Sequence, residues 1–265
     1  MTRLPVRKTY KLFIGGAFPR SESGRTYLAE GQNVARASRK DARDAVRAAR
    51  SAQGKWGGMT AYNRGQVLYR LAEMMETRDA ELAELCSGPD EVARSIDRVV
   101  WYAGWCDKLA QVVGNSNPVA GPYFNFTLPE PTGVVAVIAP PEPALEGLVS
   151  RIAPALVGGN AVVAVASEPH PLVAIELAEV IATSDVPGGV VNVLTGHQSE
   201  LAPILAGHMD VNALDLSGTN GDSADLEELA AENVKRIVRG STRGQSPWEA
   251  AAFLELKTVW HPLGL

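Results

Sequence analysis

Between residues 134 and 238 the sequence alternates near-continuous apolar runs with helical patterns. The runs are Val134–Ala139, Ala161–Ala166, Val190–Leu194, Ala213–Leu216 and Val234–Val238. The intervening helical stretches lie near Leu145–Val157 and Pro171–Thr183, from Ser199, and at about Ser223 to Glu232. A strand that is apolar at every position has both faces covered, and strands that recur after helices are joined by crossovers. The pattern therefore specifies an α/β fold with a doubly wound parallel sheet. At 265 residues, 46% of them apolar, the chain is long enough to bury such a sheet.

Upstream of the sheet the texture is mostly helical. Residues 12–30 read as a short hairpin, with Leu12-Phe13-Ile14 running through Gly15-Gly16 and Ser23-Gly24 into Thr26-Tyr27-Leu28. Asp41 precedes a helix with Ala42, Ala45, Val46 and Ala49 on one stripe, and a second helix from about Asn63 places Val67, Leu68, Leu71, Met74 and Met75 in the core. Cys86 falls at the end of that second helix. A third helix, Asp90 to Val112, carries Trp101, Tyr102 and Trp105 as packing residues. From Asn117 to Pro131 the pattern becomes extended, and Tyr123 to Leu128 reads as a strand leaving the main body. Phe253 to Trp260 alternates at the carboxyl end; an exposed edge strand must pair with the 123–131 arm or with another chain.

Charge excludes some functions. Lys and Arg total 25 against 30 Asp and Glu, so no global electrostatic footprint for nucleic acid exists. The arginines between Arg20 and Arg50 interleave with Asp41 and Asp44 and read as a solvated helix face. Two cysteines, Cys86 and Cys106, form no disulfide framework, Met1 to Tyr10 lacks an apolar signal core, and no apolar run reaches the ~18 residues of a membrane span. A soluble, cytoplasmic protein with no membrane partner is expected. His170, His197, His208 and His261 show no metal-ligand spacing.

Several stretches, taken in order, resemble the aldehyde dehydrogenase superfamily: Phe13-Ile14-Gly15-Gly16, Trp101-Tyr102-Ala103-Gly104-Trp105, Pro131-Thr132-Gly133-Val134-Val135, Pro154 to Val163, Ser167-Glu168, and Pro187 to Gly196. The resemblance implies a Rossmann-like cofactor-binding domain over residues 1–248, including a β-arm at 117–131. It also implies an oligomerisation strand within 249–265, where Leu256-Lys257-Thr258-Val259-Trp260 is similar to the family's last strand. On the same resemblance, the catalytic domain between these pieces is expected to be missing.

The family's chemistry requires a thiolate, an oxyanion donor, a general-base glutamate and a nicotinamide. Neither Cys86 nor Cys106 falls at the family's nucleophile position. The family's oxyanion turn, Pro-Trp-Asn-Phe-Pro, reads Pro140-Pro141-Glu142-Pro143-Ala144 here, and a glutamate accepts where an asparagine donates. The general-base segment maps near Arg239-Gly240-Ser241-Thr242, which holds no acid; Glu249 and Glu255 read as solvated. No catalytic residue is assigned. For the cofactor, the resemblance leaves a remnant site of Ser167, Glu168, Gly218 and Thr219, with Val165 standing where the family has lysine. Weak or absent NAD(P) binding is expected.

Three functions follow. One is a pseudoenzyme subunit that joins a full-length, active aldehyde dehydrogenase paralogue as a hetero-oligomer, in the manner of the degenerate second unit of two-unit family members. The others are a self-standing NAD(P)-dependent oxidoreductase using Glu142 or Glu168, and a cofactor-free homo-oligomeric scaffold.

Overall fold

The computed structural model describes residues 8–219, 223–241 and 243–264. It opens with a hairpin of β1 (Thr26–Ala29) and β2 (Gln32–Ala35), followed by helices α1 (Arg39–Gly57), α2 (Ala61–Glu76), α3 (Asp79–Ala83), α4 (Pro89–Ala103) and α5 (Leu109–Val113). The arm strands β3 (Asn115–Asn117) and β4 (Tyr123–Pro131) come next. The alternating region then runs β5 (Val134–Ile138), α6 (Ala144–Val157), β6 (Ala161–Val165), α7 (Leu172–Thr183), β7 (Val191–Leu194), α8 (Gln198–Ala206), β8 (Ala213–Asp215), α9 (Ala224–Ala231) and β9 (Arg236–Val238). A short α10 (Pro247–Ala251) leads to β10 (Leu254–Pro262).

Strands β5 to β9 form one parallel sheet in the order β7-β6-β5-β8-β9. Alternate side chains of each strand feed opposite cores: Val135, Val137, Val162 and Ala164 pack with the α2, α4, α6 and α7 layer, while Val134, Ala136, Val163 and Val165 pack with α1 and α8. The doubly wound α/β architecture read from the sequence is the one observed. A separate sheet, ordered β10-β4-β3, stands apart from it; β10 runs antiparallel to β4 over its whole length, from Leu254 opposite Pro131 to Pro262 opposite Tyr123. The terminal strand thus pairs with its own arm.

Several local expectations are corrected. Thr26–Ala29 pairs with Gln32–Ala35 and not with residues 12–14, because Gly31 takes a positive φ of 71° and closes the turn there, while Phe13 bridges Val193 on the main sheet. The expected 90–112 helix is broken: after Ala103 the backbone bonds close over three residues (Trp105 to Tyr102, Cys106 to Ala103), which tightens the chain and redirects it into α5. Cys86 lies in the turn between α3 and α4, beyond a second helix that ends at Glu76. Asp41 is not solvated. It forms a capping box with Ser38 at the start of α1 and accepts a 2.7 Å bond from Ser21 Oγ.

Candidate functional site

In a doubly wound sheet ligands bind beyond the carboxyl ends of the strands, where the strand order reverses. Here that point lies between β5 and β8, and the four residues expected from sequence to line a cofactor site all follow strands at this carboxyl edge, Ser167 and Gly218 beside the end of β5 and Glu168 beside the start of α8. Ser167 and Glu168 follow β6. Ser167 Oγ donates to the Pro141 carbonyl at 2.8 Å and accepts from His170 N at 3.2 Å, so it ties together the turns after β5 and β6. The Glu168 carboxylate accepts from Gln198 N at 3.0 Å and pairs with His197 Nδ1 at 2.6 Å.

Gly218 and Thr219 follow β8. Gly218 lies so close to the end of β5 that a Cβ there would sit 2.3 Å from both Ile138 O and Pro140 N. Thr219 directs its amide and its hydroxyl to the same acceptor, the Leu216 carbonyl, at 3.0 and 2.7 Å. Its neighbour Asn220 lies outside the described residues. Glu168 and Thr219 thus each have partners within the chain.

Three residues that sequence reasoning did not assign to this edge, Gln198, His197 and Tyr27, complete it. Gln198, in the first turn of α8, donates from Nε2 to the Ala139 and Ala166 carbonyls at 2.7 and 3.1 Å, satisfying the chain where it leaves β5 and β6. His197 immediately precedes α8, and the Tyr27 ring lies 5.4 Å from its imidazole with the phenol donating to the Glu168 carbonyl. No spacing rule links positions 27, 168 and 197. Only the fold brings them together.

The positions of family chemistry can be placed in the same way. Glu142 is exposed and faces His170 Nε2 at 3.1 Å. Burial pushes the Cys86 thiol up to about 11 and the Cys106 thiol up to about 12, so both are protonated at neutral pH. Near the expected general-base segment, Thr242 lies outside the described residues. Glu249, read from sequence as solvated, is held by the wholly buried Arg151: its Oε2 lies 2.5 Å from Arg151 Nη1, and its Oε1 accepts from Ser241 N at 3.0 Å. The guanidinium needs this carboxylate because it has no water to solvate it. Glu255 pairs with Arg236 on the surface. Among the described residues no group of three metal-ligating side chains converges, and no helix is long and apolar enough to cross a membrane.

Set beside known proteins, this parallel sheet with its projecting arm is a Rossmann-like α/β fold. The aldehyde dehydrogenase family description matches residues 28–248, and the chain belongs to that family. It is 33% identical over 258 residues to aldehyde dehydrogenase, cytosolic 1, of Elephantulus edwardii, covering 89% of this chain and 51% of that protein. It is 34% identical over 256 residues to the cytosolic 10-formyltetrahydrofolate dehydrogenase of Homo sapiens, covering 88% of this chain and 28% of that one. The NAD+ complex of an aldehyde dehydrogenase from Bacillus cereus superposes with a TM-score of 0.81 at 28% identity, over 87% of this chain and 50% of that structure. The chain thus spans about half the length, or less, of these relatives.

Proposed function

We propose that this protein is a non-catalytic, aldehyde dehydrogenase-like subunit that assembles in the cytoplasm with a full-length, active NAD(P)-dependent aldehyde dehydrogenase. The observation that carries the reading is the β10-β4-β3 sheet. Its outer strand β10 offers an edge with no strand partner among the described residues, and its faces expose apolar side chains: Leu256 is 56% exposed, Trp260 58% and Phe124 47%. An edge strand with exposed aromatic and aliphatic side chains is a template for strand addition from another chain.

The chemistry of the rest supports a role other than turnover. Both cysteine thiols are protonated at neutral pH. The turn after β5 presents Glu142, an acceptor, where an oxyanion needs a donor. Weak or absent dinucleotide binding is part of the same reading, supported by the internal bonds that occupy Glu168 and Thr219. Cys86 and Cys106 are free thiols, as a reducing compartment would leave them.

The test is affinity purification from the native host followed by native mass spectrometry of the intact assembly. A stoichiometric full-length aldehyde dehydrogenase is the expected companion. A homo-oligomer with no such companion overturns the proposal.

A further inference from the structure

One stripe of α4 carries Arg94, Asp97, Arg98 and Trp101 at i, i+3, i+4 and i+7, with Arg94 and Asp97 exposed and Arg98 buried beneath them. Opposite this stripe runs the segment that joins β9 to α10, contributing Arg243 and Gln245. Between them is an open cleft of about 550 Å³, within the size range of small-molecule sites.

The cleft has a fixed frame. Arg98 is buried and pins its two walls together, donating from Nη2 to the Arg243 carbonyl at 2.7 Å while the same nitrogen lies 3.1 Å from Glu146 Oε1. Arg94 Nε lies 2.9 Å from Glu146 Oε2. Arg94 and Arg243 both line the cleft and are exposed, and the bonds above use only the Arg94 Nε and the Arg243 carbonyl. Trp101 is half-buried and braced on two sides, its ring 4.9 Å from Tyr102 at 89° and 5.5 Å from Trp105. A braced indole beside guanidinium groups suits a flat ligand, because both side chains stack on π faces, and a guanidinium receives a carboxylate through a fork of donors.

We infer that this cleft binds a small, flat organic anion of the aromatic-carboxylate class. The ring rests on Trp101, the carboxylate takes Arg94 and Arg243, and Asp97 disfavours ligands with more than one negative charge. Among the described residues the lining comes from α4 and from Arg243 and Gln245, with Glu146 of α6 holding Arg94 and Arg98 from behind.

Isothermal titration of the whole chain with benzoate tests this, with benzamide and inorganic phosphate as companions. Saturable benzoate binding with a Kd on the order of 1 mM is expected. Arg94→Ala and Arg243→Ala, at exposed side chains, each weaken it about tenfold, and Trp101→Leu does the same while keeping an apolar group in place. Benzamide and phosphate bind at least about tenfold more weakly, the first for lack of charge and the second for lack of a ring. Three results overturn the inference: no saturable benzoate binding, benzoate binding that ignores the arginine variants, or phosphate binding as tight as benzoate. Circular dichroism of each variant separates loss of the site from loss of the fold.

Discussion

Arg151 Nε lies 2.7 Å from Asp215 Oδ2, and neither side chain reaches solvent. The pair joins the middle of α6 to the end of β8. Through Glu249 and the Ser241 carbonyl the same guanidinium also anchors the segment that carries the chain from the main sheet to the arm. Burial opposes the charge on Arg151, but the Asp215 and Glu249 carboxylates outweigh it and hold the group firmly protonated. Removing Asp215 leaves the buried guanidinium with Glu249 as its one remaining carboxylate among the described residues and leaves Nε without its acceptor. Asp215→Ala is expected to cost about 3–5 kcal/mol in urea unfolding. Arg151→Met together with Asp215→Leu, which removes both charges at similar volume, is expected to recover part of that loss.

The outer edge of the arm is where assembly is read. Val259→Lys places an ammonium among the exposed apolar side chains of β10, a strand whose backbone ladder, among the described residues, is to β4 and not to the main sheet. Native mass spectrometry is expected to show the companion subunit lost while circular dichroism of the isolated chain stays unchanged. Undiminished co-purification would count against strand-mediated assembly.

Thiol chemistry provides an independent check. With its thiol raised from 9.0 to about 11, Cys86 carries about one hundredth of the thiolate of an unperturbed cysteine at pH 7.5. Alkylation by iodoacetamide, followed by peptide mass spectrometry, is expected to be slower than for a free thiol by about that factor. Rapid labelling of Cys86 or Cys106 at neutral pH would restore an activated cysteine to consideration.

Acid sensitivity should centre on Glu91. Burial raises its carboxyl, but amide donors at Ser87 (2.8 Å), Leu145 (2.8 Å) and Glu146 (3.0 Å) outweigh burial and hold it below the usual 4.5. A folded-state value below the unfolded one means its stabilisation is complete above 4.5 and drains away as the pH falls through the lower folded value. Urea unfolding at successive pH values is expected to show an acid limb that flattens in Glu91→Gln.

Gly218 tests how tightly the carboxyl edge is closed. Its would-be Cβ meets main-chain atoms of Ile138 and Pro140, which cannot swing aside as a side chain would. Gly218→Ala is expected to destabilise by about 1–3 kcal/mol in urea unfolding. A neutral outcome would show that the edge is open enough to admit a ligand.

The main sheet was legible in the sequence because burial on both faces leaves strands such as Val134–Ile138 without a polar position, and no other architecture covers them so fully. The arm was legible too, from Tyr123 to Pro131, and its pairing was narrowed to two: an alternating strand such as β10 can add to its own arm or to another chain's edge, and the fold shows the first. The helix expected to end at Val112 failed at Ala103 because packing, not propensity, decides where such a stretch turns.

Periodicity thus determined the layered α/β fold and the extended strands at 123–131 and 253–260, and short motifs such as Phe13-Ile14-Gly15-Gly16 carried the family resemblance; all of these depend on side chains close together in the chain. Tertiary structure alone decided that Glu249 serves Arg151, that His197 and Gln198 occupy Glu168, and that Arg243 faces Arg94 across a cleft. These pairings join residues as much as 149 positions apart, and a charge or amide carries no mark in sequence of the partner that burial will require it to find.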